Sequence, residues 1–163
     1  LANRSLIKDR LKQMMARVRR GAQPLALIYL DLDGFKAVND KFGHDQGDQL
    51  LITLANKFND VVRETDTVAR IGGDEFVILL TDLSQKNECE LILSRILAAA
   101  TTSVEIDGEH ADISASLGVS FFSQGDTCGL DGLFKQADTA MYQAKESGKN
   151  CFQFFEQKPL PSY

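Results

Sequence analysis

Two acidic clusters carry the side chains best suited to chemistry in this chain: Asp74-Glu75 and Asp31-Leu32-Asp33. Asp74 and Glu75 follow Gly72-Gly73 and precede Phe76. They lie between a short β-branched run, Thr67 to Ile71, and an almost wholly apolar one, Phe76 to Leu80. Such runs joined by Gly-Gly predict a β-hairpin, with glycine supplying the positive φ of a tight turn. Two adjacent carboxylates at a hairpin tip repel each other and are poor strand formers. They are compatible with a solvated turn or with a cation site, because hard divalent ions take carboxylate oxygen. The bare glycines also leave the backbone open to close approach by a bulky polyanion.

The second cluster ends an uninterrupted apolar run, Leu25 to Leu30, which predicts a strand covered on both faces. A carboxylate at the carboxyl end of a central strand is where open α/β sheets place ligand chemistry. Taken alone, Asp31 reads equally well as a helix N-cap or turn residue. If its strand lies beside the hairpin, Asp31 and Asp74 converge. Two carboxylates, a backbone carbonyl and substrate phosphates are a usual way to hold Mg²⁺.

Positioning these groups falls to a chain of 163 residues, enough for one domain with a substantial core. It is 44% hydrophobic and 25% charged, an ordinary globular balance. A net charge of −5 argues against broad electrostatic capture of nucleic acid, while leaving room for a nucleotide pocket with local lysines. Three cysteines, Cys89, Cys128 and Cys151, have no metal-site spacing and point to a reducing, cytoplasmic setting. No apolar run is long enough to cross a bilayer, no secretion signal is visible, and no membrane contact is expected of this domain itself. The chain reads as the excised C-terminal output domain of a longer protein. A membrane anchor in a missing N-terminal part is compatible with that.

Apolar spacing predicts helices over residues 5–20, 46–63, 85–100 and 130–146, with 34–43 a short helix or turn. Strands are predicted at 25–31, across the hairpin 67–80, at 103–106 and 110–122 around Asp107-Gly108, and at 151–155. Gly148 suits the position just past a helix end. The order predicts an α+β fold: a mixed, largely antiparallel central sheet flanked by helices, palm-like rather than doubly wound. A single domain is expected over 1–158, with 159–163 a loose tail.

These blocks resemble the GGDEF family, the diguanylate cyclase domains. Leu1-Ala2-Asn3-Arg4 looks like the tail of the family's opening motif. Asp31 to Lys36, Asn39-Asp40, Gly43-His44-Asp45 and Gly47-Asp48 are similar to its first-strand motif and the continuation of it. Gly72 to Phe76 is the naming motif, and Ala144 to Asn150 resembles the closing one. The resemblance covers nearly the whole chain.

It implies condensation of two GTP into cyclic di-GMP and two pyrophosphates, each 3′-hydroxyl attacking the other nucleotide's α-phosphate. One domain would bind one GTP, so catalysis implies a homodimer. Asp31, the Leu32 carbonyl and Asp74 would hold Mg²⁺ (or Mn²⁺), with Glu75 assisting. Asp74 is the candidate base for the 3′-hydroxyl, although a metal-bound hydroxyl already has a lowered pKa. Phe35 and Lys36 would face the substrate, Lys36 stabilising charge on the transferring phosphoryl group. Asn39 and Asp48 can satisfy the guanine edge, with His44 adding a contact. Lys145 and Lys149 would reach the β- and γ-phosphates. The family more often has arginine at position 149, and lysine lacks its bidentate fork. Each of these polar side chains can also be read as a turn, cap or solvated surface group.

Arg63-Glu64-Thr65-Asp66 resembles the family's product-inhibition motif, with Arg95 a weaker second arginine. Arginine can grip a phosphate or the O6/N7 edge of guanine, and the aspartate can accept from the guanine N1 and N2 donors, but the same spacing also makes an i,i+3 surface ion pair. Two alternatives stand beside the cyclase: a non-catalytic module binding GTP or cyclic di-GMP, and a different purine cyclase or polymerase-like palm.

Overall fold

A computed structural model describes residues 2–156; the expected tail at 159–163 and the domain boundary at 158 lie outside them. The elements run α1 (Arg4–Arg19), β1 (Leu25–Asp33), α2 (Phe35–Phe42), α3 (His44–Val61), β2 (Thr67–Gly72) and β3 (Glu75–Leu80). They continue with α4 (Lys86–Ala100), β4 (Thr102–Ile106), β5 (Glu109–Phe122), α5 (Leu130–Glu146) and β6 (Cys151–Phe154). The six-stranded sheet has the order β2-β3-β1-β5-β4, and β6 pairs with β5. Every pairing is antiparallel except β5 with β6. This is the expected mixed, largely antiparallel α+β sheet.

β1 lies at the centre because both of its faces are apolar. Ala26, Ile28, Leu30 and Leu32 enter one core with Leu51, Leu54 and Phe58 of α3 and Leu93 and Ile96 of α4. Leu25 and Leu27 enter a second core with Ile7, Leu11, Met15 and Val18 of α1 and Leu133 and Ala137 of α5. Helices therefore cover both faces of the sheet. No helix among the described residues is long and apolar enough to cross a membrane.

Two local details aim the functional ends. Gly118 of β5 lets α5 lie directly on the strand, since a Cβ there would collide with the Ala137 carbonyl and the Met141 amide. At its far end α5 closes with Gly148 at φ 112°, the Lys149 amide bonding Ala144 O at 3.1 Å and the Gly148 amide bonding Lys145 O at 3.3 Å. That is the paired bonding of a Schellman stop.

The hairpin departs from expectation in one respect. Gly73 and Asp74 form its two-residue tip, but neither Gly72 nor Gly73 takes positive φ. The register shifts between Arg70 and Gly72, and this bulge supplies the twist that a primed turn otherwise provides. The Asp107-Gly108 turn does use positive φ, at 51° and 81°.

Candidate active site

The carboxyl end of β1, the β2–β3 tip and the end of α5 meet at one place. Asp31 pairs with Glu75 across the β1–β3 ladder, and the Leu32 amide donates to Asp74 O at 3.1 Å. The hairpin tip is thereby tied to the strand end that carries Asp31. The Asp31 carboxyl is pushed up to about 6, chiefly by burial and then by the charge of Asp74, with Glu75 adding to it and Lys145 opposing. Asp31 and Asp74 converge as the sequence suggested.

Lys145 reaches into this cluster from the last turn of α5. Its Nζ is 3.6 Å from Asp31 Oδ2 and 3.2 Å from Asp33 Oδ1. Asp33 itself is the residue that the sequence reading left without a role. It is 6% exposed and accepts from Ser114 Oγ and Ser116 Oγ, both at 2.8 Å, and from the Asn150 amide at 3.2 Å. Burial pushes its pKa up, but the two serines, the Asn150 amide and Lys145 together bring it below the ordinary carboxylate value. The two-residue period of a strand puts Asp31 and Asp33 on one face, which the sequence shows, but it does not name the partners of Asp33. Tyr29 shares that face and donates from its hydroxyl to Glu75 Oε2 at 2.9 Å.

The donor set suits a hard divalent cation. A carboxylate whose proton affinity is raised by burial and by neighbouring carboxylates, as that of Asp31 is, has negative charge to spare. Among the described residues no three acidic, histidine or cysteine side chains form a ready cage. That fits an ion that takes its remaining oxygen ligands from phosphate and water.

The other expected substrate residues lie on α2, α3 and the α5–β6 turn. Phe35, the first residue of α2, is buried in the core at 7% exposure. Asn39 sits against Gly47, where a Cβ would collide with its Oδ1. This joins α2 to α3 beside Asp48. Asn39 is half-buried; Lys36, His44, Asp48 and Lys149 are exposed. None of these five side chains has a hydrogen-bond partner among the described residues. A cleft of about 630 Å³ opens between Gly34, Ser103, Asp112, Ser114, Lys149 and Asn150.

The Arg63–Asp66 motif forms a closed cluster elsewhere. Asp66 is buried and accepts from the Arg63 amide at 2.9 Å and the Thr81 amide at 3.0 Å. The Arg63 guanidinium bonds Thr81 O at 2.5 Å and Glu88 at 3.2 Å, and lies 3.5 Å from Asp66. Arg95 is exposed on α4, two helical turns beyond Glu88 and on the same side. The i,i+3 ion pair is therefore present.

The fold and the acidic strand end together define a palm-like α+β domain. Its relatives agree: residues 1–151 match the family described as diguanylate cyclase, GGDEF domain, and the chain belongs to it. It is 40% identical over 156 residues to the bifunctional diguanylate cyclase/cyclic di-GMP phosphodiesterase MucR of Pseudomonas aeruginosa, covering 96% of this chain and 22% of that protein. It is 38% identical over 152 residues to the diguanylate cyclase DgcS of Shewanella oneidensis, covering 93% of this chain and 49% of that one. The chain thus spans less than half of either relative. Among solved structures, the GGDEF domain of YfiN (TpbB) from Pseudomonas aeruginosa superposes with a TM-score of 0.87 at 31% identity, covering 97% of this chain and 98% of that one.

Proposed function

We propose that this domain is a diguanylate cyclase, joining two GTP into cyclic di-GMP with release of two pyrophosphates. The observation that carries the reading is the convergence of Asp31 and Asp74 at the end of β1, with Lys145 beside them. Asp31, Asp74 and the Leu32 carbonyl are the groups that would hold Mg²⁺ or Mn²⁺, with Glu75 contributing charge at the edge. When bound, the ion withdraws charge from the phosphates and lowers the pKa of a coordinated hydroxyl.

The chain's own residues do the rest. Asn39 and Asp48 offer the acceptor and donor pattern that guanine satisfies and adenine does not. Lys145 and Lys149 neutralise the outer phosphates, and Lys36 stabilises charge developing on the α-phosphoryl group. The 3′-oxygen of one GTP forms a bond to the α-phosphorus of the other as the bond to pyrophosphate breaks. Asp74 is the candidate acceptor of the hydroxyl proton. Each domain holds one nucleotide, so two copies must face each other for both bonds to form.

Purified protein with dimerisation enforced, given GTP and Mg²⁺, should make cyclic di-GMP and should prefer GTP to ATP. The Asp74→Ala variant should not. Tight nucleotide binding without any product would instead make this a binding module. Product feedback through Arg63, with Arg95 nearby, is part of the proposal and rests on the motif's resemblance. In it Arg63 would exchange its Glu88 contact for the ligand, while Asp66 stays engaged with the backbone.

A further inference from the structure

Glu75 is the first residue of β3, half-buried, and follows the exposed Gly72-Gly73 of the hairpin turn. A glutamate there would ordinarily lose considerable rotamer freedom to hold one direction. One neighbour fixes it. Tyr29 lies on β1 with Val77 as its direct partner across the β1–β3 ladder, which makes Glu75 its diagonal neighbour. Its hydroxyl meets Glu75 Oε2 at 2.9 Å, while Oε1 has no hydrogen-bond partner among the described residues. The ring is half-buried, and a cavity of about 230 Å³ behind it is bordered by Arg4, Lys8, Ile71 and Asp138. The hydroxyl is the donor of this bond, since an ionised carboxylate can only accept.

We propose that Tyr29 is a positioning residue of this site, its hydroxyl holding the Glu75 carboxylate against the Asp31–Asp74 cluster with one oxygen left free. The role assigned to Glu75 rests on the cyclase reading. A central strand thus orients a charge at the start of the neighbouring strand. Outer-shell hydrogen bonds of this kind typically contribute about ten- to a hundredfold in metal affinity or activity.

The test compares wild type with Tyr29→Phe, which keeps the ring and removes the donor. Mn²⁺ affinity is read by electron paramagnetic resonance with a non-hydrolysable GTP analogue present, at pH 8. The expected result is weakening on the order of tenfold, a similar fall in kcat and little change in KM for GTP. In a Glu75→Gln background the same change should add nothing. An unchanged Mn²⁺ affinity in Tyr29→Phe, or a full further loss on top of Glu75→Gln, would overturn the proposal. The Mn²⁺ titration needs no turnover. A wild type that binds metal and analogue but makes no cyclic di-GMP rejects the cyclase and leaves the Tyr29 comparison readable; one that binds no Mn²⁺ rejects both. Should Tyr29→Phe not fold, 3-fluorotyrosine in the wild type carries the test. The Tyr29 resonance must shift when Mg²⁺ and the analogue are added, and an unmoved resonance overturns the assignment.

Discussion

Asp31 and Asp33 lie two residues apart on one face of one strand, yet their surroundings push them in opposite directions. Asp33 has donors from three elements: two serines of β5, the Asn150 amide and Lys145 of α5. Its carboxylate is paired as well as buried. Asp31 meets mainly other carboxylates, and shares with Asp33 the one lysine that approaches it. Burial acts on both; the count of donors separates them. A carboxylate surrounded by donors holds a fold together, whereas one surrounded by carboxylates is poised for a cation. By the same measure Asp66, with two backbone amides, belongs with Asp33.

The largest expected effect lies on the poised side. Asp74→Ala should lower cyclic di-GMP formation by about a thousandfold or more, while its melting temperature stays near wild type. Loss of activity through unfolding would break the comparison, because Asp74 would then be structural. On the paired side, Asp33→Ala leaves two serines, an amide and a lysine without their acceptor. Urea unfolding should show a loss of about 3 kcal/mol. Asp31→Asn should do the reverse in metal-free protein at pH 8, raising Tm by about 3 °C as repulsion is relieved.

Titration sharpens the contrast. The folded-state pKa of Asp31, about 6, is above its ordinary value of 3.8, so the metal-free fold binds this proton more tightly than the unfolded chain. Its contribution to stability is fully present below 3.8 and is lost as pH rises through 6. Metal binding needs the ionised form. The Mn²⁺ concentration for half-saturation should therefore rise about tenfold per pH unit below about 6. Asp33 is lowered, so its contribution is present above about 4 and is lost as pH falls below that.

Smaller effects follow from the lysine that both aspartates share. Lys145→Met should weaken GTP binding several-fold, yet raise the affinity for Mn²⁺ measured without nucleotide, since a competing cation has gone. A parallel loss of both would break the idea that Lys145 stands in for missing positive charge. Smallest of all, Arg63→Ala should raise the cyclic di-GMP concentration needed for half-inhibition, at a cost of about 1 kcal/mol in stability. Unchanged inhibition removes the feedback assignment.

The elements were readable because their signals are local. Five of the six residues from Leu25 to Leu30 are buried and Tyr29 is half-buried, matching an apolar run that needs cover on both faces. Every predicted helix and strand is present, with ends shifted by a residue or two. The hairpin was readable from Gly-Gly, but its φ values were not, because a bulge can supply twist that no residue type announces. Asp33 was missed because its partners lie 81 to 117 residues away. Nothing local distinguishes a carboxylate that will meet two serines from one that will meet another aspartate.

Residue types and short-range periodicity were enough to specify the strands, the helices and the acidic residues at their ends, since each depends on neighbours within a few positions. Which carboxylate is paired and which is left charged, where Tyr29 directs its hydroxyl, and how Arg63 and Asp66 are engaged were decided only by tertiary packing. Electrostatic free energy depends on distance in space and on solvent exclusion, and neither is set by position along the chain.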